Sequence, residues 1–398
     1  MRVSFICCPF KTSFGAYGSA LKSAIEAKTG DKAQWVASNC GCGDPIESGR
    51  QFLTKECDYF DMPIPADYRS DQLWKRRVRG VARNMFVQLR ARKYESMLDH
   101  PDVAHFQQVL NGYGSKVLFA WLKQATTSAR VVTVHELDPE QTENPKSNLN
   151  YNRADAVIVH CSEMKERLIS LGVRPEKLHV VLHGTSIPAP SAAPRTGIVF
   201  YGGHKLMSGK GIETLFRAMT LLQQSSPEAL PQLKIHGHYG DATPADGLKL
   251  AAKYDLADRI VWLNQIPEEA MVPLYQESLL CVLPFTGSFA GMAASVAAAC
   301  QLPIVCTRKA GLPDHLGDAG IWIDENDHVQ LAARIAELLA SEALRREVGA
   351  RLLQRAEQAL SWNVIANQTM AIYKEAVAKK SAAIHGDAAK KETEAVMA

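Results

Sequence analysis

The sequence predicts an α/β protein made of two doubly wound, parallel-sheet (Rossmann-like) domains facing a cleft. Three observations carry this. Short apolar runs alternate with helix-length amphipathic runs almost from end to end. The apolar runs lack strict polar alternation, as strands covered on both faces do. Gly184–Arg195, GTSIPAPSAAPR, sets three prolines and two serines between two such series, which is linker composition. A chain of 398 residues is long enough for two domains.

In chain order the strands are expected at Val3–Cys8, Val131–Val134, Ala156–Val159, His179–Leu182, Gly197–Tyr201, Leu233–His236, Ile260–Leu263, Leu280–Leu283, Pro303–Val305 and Gly320–Ile323, with a further strand ending near His105. Helical periodicity marks Ser19–Ala27, Gly114–Ala125, Ser162–Leu171, Gly211–Gln223, Pro244–Tyr254, Glu268–Glu277, Ala293–Ala299, His328–Ala340 and Leu344–Ala359. This gives domains at 1–184 and 197–361 joined by a linker at 185–196. The segment 379–398 is Ala/Lys/Glu-rich with little apolar content and is expected to be a disordered tail or a frayed helix.

Composition narrows the class. Apolar residues are 46% and charged residues 22%, enough for a core. The 45 basic and 42 acidic residues leave a formal charge of +3, which does not suit a surface built for nucleic acid. The nine cysteines are odd in number and contain no CxxC pair, so a reduced, cytoplasmic chain is expected. Cys40, Cys42 and Cys57 are the one weak candidate for a metal cluster, and they lack a partner set. MRVSFICCPF reads as a strand rather than a signal peptide, and no apolar run is long enough to span a membrane.

Two glycine turns carry the chemistry. Tyr201–Gly211, YGGHKLMSGKG, follows a strand and opens a helix. Backbone N–H groups of such a turn approach an anion, the helix end adds partial positive charge, and Lys210 adds a full one. The alternative is a plain strand–turn–helix with a surface lysine. Pro284–Ala293, PFTGSFAGMA, also joins a strand to a helix, whose small side chains allow close approach to phosphate. Tight packing of that helix on a sheet is the alternative. A diphosphate needs donors from more than one direction, and two turns at strand C-terminal ends supply them.

His135 lies just past the Val131–Val134 strand, and His105 and His183 are placed at other strand ends, so a polar lining is expected there. Each of them is otherwise a satisfied hydrogen bond at a strand end. Lys75–Lys93, KRRVRGVARNMFVQLRARK, holds eight Lys/Arg and no acid, with Val78, Val81, Met85, Phe86 and Leu89 at roughly helical spacing. A basic amphipathic helix suits anionic lipid headgroups or a phosphorylated acceptor; a solvated helix face is the alternative.

These residues together resemble the retaining group-1 glycosyltransferases, which have the GT-B fold. The resemblance runs from about Val3 to about Tyr373. It includes Gly15-Ala16-Tyr17-Gly18, Asp102–His105, Val131–His135, Ala154–Glu163, Gly203-His204 through Lys210-Gly211, Gly311–Asp314 and Ser361-Trp362. It implies that the second domain binds a nucleotide-sugar and the first an acceptor. A last helix, here 362–378, would cross back to the first domain. Lys210 would hold the donor diphosphate. Gly203 and the turn of Gly287, Ser288, Phe289, Ala290, Gly291 and Met292 would approach phosphate through backbone. Gly15 would sit in a loop beside the phosphate and His135 near the transferred sugar. His105, Arg76, Arg77 and Arg79 are the acceptor-side candidates. No cofactor and no metal are implied.

The chain departs from the family pattern in three places. The family arginine before the lysine is His204, with Lys205 beside it offering charge without the fork geometry. The two family glutamates around the second turn are Ser288 and Val296. The expectation is a glycosyltransferase moving a sugar from a nucleotide-sugar to a saccharide or lipid-linked acceptor in polysaccharide or glycolipid assembly. Its expected place is the cytoplasm, with peripheral contact to an anionic membrane. A catalytically silent GT-B binding or scaffold protein and a sugar-nucleotide epimerase are the alternatives.

Overall fold

The computed structural model describes residues 1–7, 12–39, 57–61, 73–107, 112–124, 126–135, 145–202, 209–225, 228, 230–237, 244–264, 266, 268–287 and 291–397. The chain divides into two compact units, Met1–Val181 with Ala366–Ala398, and Leu182–Ile365.

The first unit contains a seven-stranded parallel sheet. Its strands are β1 (Val3–Cys7), β2 (Gln34–Asn39), β3 (Cys57–Asp61), β4 (Val103–Gln107), β5 (Ala129–Val134), β6 (Ala156–Val159) and β7 (Leu178–Val180), in the order β3-β2-β1-β4-β5-β6-β7. The strands are short, β5 and β6 are rich in β-branched residues, and β4, β5 and β6 are buried along their whole length. Helices α1 (Thr12–Thr29), α2 (Leu73–Met97), α3 (Gly112–Trp121) and α4 (Ser162–Ser170) connect them. Ile6, Phe106, Val132, Val134 and Val157 pack with Val117, Trp121 and Tyr151 on one side of the sheet. Phe5, one residue from Ile6 and so on the other side, stacks on Trp35.

The second unit contains a six-stranded parallel sheet. Its strands are β8 (Ile198–Tyr201), β9 (Leu233–His236), β10 (Ile260–Asn264), β11 (Leu280–Leu283), β12 (Ile304–Thr307) and β13 (Ile321–Ile323), in the order β10-β9-β8-β11-β12-β13. Period-two alternation sends Ile198, Phe200 and Val282 into one apolar cluster, and Val199, Cys281 and Leu283 into another. Both faces are therefore covered, as the unbroken apolar runs required. Helices α5 (Ile212–Ser225), α6 (Pro244–Lys253), α7 (Glu268–Gln276), α8 (Met292–Ala299), α9 (Leu312–Leu316), α10 (His328–Ala340) and α11 (Glu342–Arg355) supply the cover. Asp327 caps α10 by accepting from the Val329 and Gln330 N–H groups, and Ser341 caps α11 at Leu344.

A π-helical turn, Ala356–Leu360, leads to the last helix, α12 (Trp362–Met397). Gly184 lies against Trp362: a Cβ on it would come within 2.5 Å of the indole. From Ala366 onward the helix belongs to the first unit, where Tyr373 and Ala376 are buried.

Four expectations need correcting. The unit boundary falls at Val181, and the proline-rich linker belongs to the second unit. The segment expected to be a disordered tail or a frayed helix is helical and continues α12 to Met397. A Glu375–Lys379 pair at 2.5 Å supports it. β2 and β3 were not anticipated. The glycine-rich stretch at Gly15 is helical backbone in α1 rather than a loop.

Candidate functional site

In the second unit the strand order reverses between β8 and β11, the switch point at which open α/β sheets bind ligands beyond their strand ends. The loops after these two strands are tied together. The Gly209 carbonyl accepts from the Thr286 and Gly287 N–H groups at 2.9 and 3.0 Å. Gly211 has φ +74°, and a Cβ there would lie 1.9 Å from the Pro284 carbonyl oxygen, so only glycine fits this crossing. Thr307, at the end of β12, donates its hydroxyl to the Phe285 carbonyl at 2.6 Å.

Lys210 sits in this junction with only 4% of its surface exposed. Its Nζ lies 4.3 Å from the centre of the Phe285 ring and 5.4 Å from that of Tyr201. Two aromatic faces thus hold an ammonium at the carboxyl end of the sheet. Tyr201 in turn tilts against His236, whose Nε2 is 3.0 Å from the Tyr275 hydroxyl. Burial pushes the His236 imidazole down to about 4, so it is neutral.

The second turn is built differently. Gly291 precedes α8 with φ +49°, and a Cβ on it would lie 2.6 Å from His315 Nδ1. His315 donates from Nδ1 to the Gly311 carbonyl and accepts the His183 N–H at Nε2, at 2.7 and 3.0 Å. Burial lowers it to about 4. Ser295 donates its hydroxyl to the His183 carbonyl at 3.1 Å. The small residues Ala293, Ala294 and Ser295 are buried in packing, and Gly291 makes room for His315. This is the packing alternative for the helix body. Val296, half-buried, packs against the apolar cluster of the sheet, so that family-glutamate position makes an apolar contact here.

In the first unit a run of buried polar side chains crosses β4, β5 and β6. Tyr373 Oη is 2.5 Å from His105 Nδ1. His105 Nε2 is 2.7 Å from Thr133 Oγ1 and 3.3 Å from the Gln107 amide nitrogen. His135 Nε2 is 2.9 Å from Gln107 Oε1, and its Nδ1 is 3.0 Å from His160 Nε2. His160 Nδ1 donates to the Val181 carbonyl at 2.9 Å. Tyr17 on α1 meets both imidazoles edge-on, at 5.0 and 4.9 Å. Gly18 beside it has no room for a Cβ, which would lie 2.7 Å from the Trp35 ring. Burial lowers His105 to about 3, and the neighbouring His160 adds to the shift.

The structure therefore places Lys210, Gly287, Gly291 and Met292 at one end of the second sheet, and His105 and His135 in the first. His135, expected to point into the cleft, is 2% exposed. His105 was expected at a strand end but lies inside β4, whose last residue is Gln107. His183 lies beyond the end of β7. Arg76, Arg77 and Arg79 fall on α2. Gly203, His204, Lys205, Ser288, Phe289, Ala290, Cys40 and Cys42 lie outside the described residues. Sequence reasoning assigned no role to Tyr201, Phe285, Gln107, His160 or Tyr373. The usable signal was His160, which closes the buried run of β6 as His135 closes that of β5.

Residues 195–341 match the family model of group 1 glycosyl transferases, and residues 58–187 match that of Glycosyltransferase Family 4. The two sheets and their helices are those of GT-B proteins. Each unit of the chain thus matches a glycosyltransferase family model, the second unit that of group 1. It is 28% identical over 189 residues to a D-inositol 3-phosphate glycosyltransferase of Corynebacterium diphtheriae, covering 46% of this chain and 41% of that one. It is 33% identical over 115 residues to O-antigen chain mannosyltransferase B of Escherichia coli, 29% of this chain and 30% of that one. These matches span less than half the length of either relative. A sucrose-phosphate synthase structure from Thermosynechococcus elongatus superposes with a TM-score of 0.71 at 20% identity, over 95% of this chain and all of that one.

Proposed function

We propose that this protein transfers a sugar from a nucleotide-sugar to an acceptor, with retention of anomeric configuration. One observation carries the reading: the Lys210 ammonium, buried between Tyr201 and Phe285 at the switch point where both loops meet. When a sugar leaves a diphosphate, negative charge grows on the phosphate oxygen it departs from. A fixed cation and backbone N–H groups at that point stabilise the charge without reorganising. Lys210 supplies that cation in place of a divalent metal. The second unit accordingly binds the donor.

The test is product formation from a panel of labelled nucleotide-sugars. Lys210→Met is expected to lower kcat by roughly 10²–10³; undiminished turnover would contradict the reading. Val296, half-buried against the apolar cluster where the family has a glutamate, favours a second reading as a binding protein without catalysis. Donor binding without any product in that panel would select it.

The acceptor reading rests on α2. Val81, Met85 and Leu89 are 71%, 56% and 44% exposed and lie four residues apart on one face. Val87, Arg90, Ala91 and Tyr94 face inward on the other. Within a segment of eight basic residues and no acidic one, this stripe suits an anionic lipid surface. Among the described residues no helix is long and apolar enough to cross a membrane. A peripheral site on the cytoplasmic face fits the free thiols of Cys161, Cys281, Cys300 and Cys306. The O-antigen relative supports a role in polysaccharide or glycolipid assembly. Flotation with phosphatidylglycerol vesicles tests the surface: Met85→Glu should abolish co-flotation, and absence of wild-type binding at low salt would refute it.

A further inference from the structure

The start of α8 is held by a closed circuit of groups, all within the second unit. His183, the second residue of that unit, gives both of its backbone groups to side chains. Its N–H donates to His315 Nε2 at 3.0 Å, and its carbonyl accepts from the Ser295 hydroxyl at 3.1 Å. Ser295 is tied back along α8, its N–H donating to the Gly291 carbonyl at 3.0 Å. Gly291 closes the circuit against the His315 ring, where a Cβ would lie 2.6 Å from Nδ1 and 2.8 Å from Cγ. His183, Ser295 and His315 are buried, so a bond lost here leaves a polar group unpaired away from water.

The His315 ring is held at both ends by backbone. The Gly311 carbonyl can only accept, so Nδ1 carries the proton. The His183 N–H can only donate, so Nε2 is bare. A ring nitrogen makes one in-plane hydrogen bond, and these two use both nitrogens. Arg355 fixes the same short helix, α9, by donating to the His315 and Asp314 carbonyls. Packing alone would ask only for apolar volume beside Gly291. An acceptor aimed at one peptide N–H and a donor aimed at one carbonyl set a position as well.

We propose that His315 is a positioning residue for the donor diphosphate: it sets the place of Gly291 and of the first turn of α8. The N–H groups of that turn have no acceptor within the helix and point beyond its end, as an anion requires. Ser295 is the second fastening of the same turn. The inference rests on the reading that the second unit binds the donor. Backbone contacts to the diphosphate are made in the bound donor and in the transition state alike. Their loss therefore weakens donor binding and leaves kcat, whereas loss of the Lys210 charge lowers kcat as well.

The test is titration calorimetry with UDP, GDP, ADP and dTDP, beside donor kinetics, on the intact protein and three variants. Ser295→Ala suits a helix already rich in alanine and removes only the hydroxyl bond; affinity for the nucleotide that binds should fall about threefold. His315→Leu keeps apolar volume and should raise Kd and donor KM at least about tenfold with kcat within about twofold. His315→Gln, which offers both a donor and an acceptor, should recover most of the affinity. Ring-¹⁵N histidine spectra at pH 7.5 should show the His315 proton on Nδ1 and a bare Nε2, the signals assigned by their loss in His315→Gln. A proton on Nε2 overturns the inference. So does a fall in kcat at unchanged KM in His315→Leu. Wild-type affinity in Ser295→Ala and His315→Leu, with weak binding by Lys210→Met, overturns it and leaves the donor reading standing. If His315→Leu does not fold, wild-type affinity in Ser295→Ala alone decides against it. No binding of any of the four nucleotides by the wild type overturns the donor reading and the inference together.

Discussion

Lys210 and Gly211 are neighbours with separable duties. Lys210→Met keeps an apolar stem between Tyr201 and Phe285 and removes the buried charge, so folding stability should be unchanged or higher while transfer collapses. Urea unfolding beside a rate measurement separates the two. Gly211→Ala does the opposite: its φ of +74° and a Cβ 1.9 Å from the Pro284 oxygen force the two loops apart. A loss of about 2–3 kcal/mol together with loss of donor binding is expected. On the proposed reading Lys210 supplies the positive charge, so excess EDTA should leave the initial rate within about twofold. Lys210 was legible in the sequence because a lysine in a glycine turn between a strand and a helix adds its charge to a backbone already suited to an anion. Its aromatic walls were not, because Tyr201 and Phe285 read equally well as core residues at strand ends.

At the scale of elements, α8 ends in a left-handed residue that is not glycine. Gln301 has φ +54°, its N–H donates to the Ala298 carbonyl, and the Leu302 N–H donates to that of Ala297. This is a Schellman turn with a side chain where glycine is preferred, so Gln301→Gly should raise stability by about 1 kcal/mol in urea melts. The elements that were read correctly are those whose local pattern and tertiary role agree. Ala156–Val159 and Leu280–Leu283 are apolar because both sheet faces are covered. β3, Cys-Asp-Tyr-Phe-Asp, was missed because it is an edge strand paired only with β2, and its aspartates argue locally for a turn. The start of α1 was missed because Gly15 and Gly18 look like turn residues, whereas Gly18 is small to admit Trp35.

For the whole molecule, burial among the described residues lowers His105 to about 3 and His236 and His315 to about 4, keeping them neutral. Each binds its proton only on unfolding. Stability is therefore complete above about pH 6.5 and falls as pH drops towards 4, by up to roughly 3 kcal/mol for each group. Urea midpoints at pH 7.5, 6 and 5 should decline accordingly, and His315→Gln should decline less steeply. These histidines, like the His160–His135–Gln107 run, were beyond sequence reasoning because their partners come from strand register and from a helix hundreds of residues away. Sequence shows that His135 ends a strand; only the register puts Gln107 and His160 on either side of it. The central claim is that the second unit cradles a nucleoside diphosphate at Lys210. Titration calorimetry of UDP, GDP, ADP and dTDP into the intact protein and into Lys210→Met tests it most directly. One of the four should bind the wild type, and the variant should bind it at least about tenfold more weakly. No heat with any of them, or equal affinity in the variant, would contradict the account.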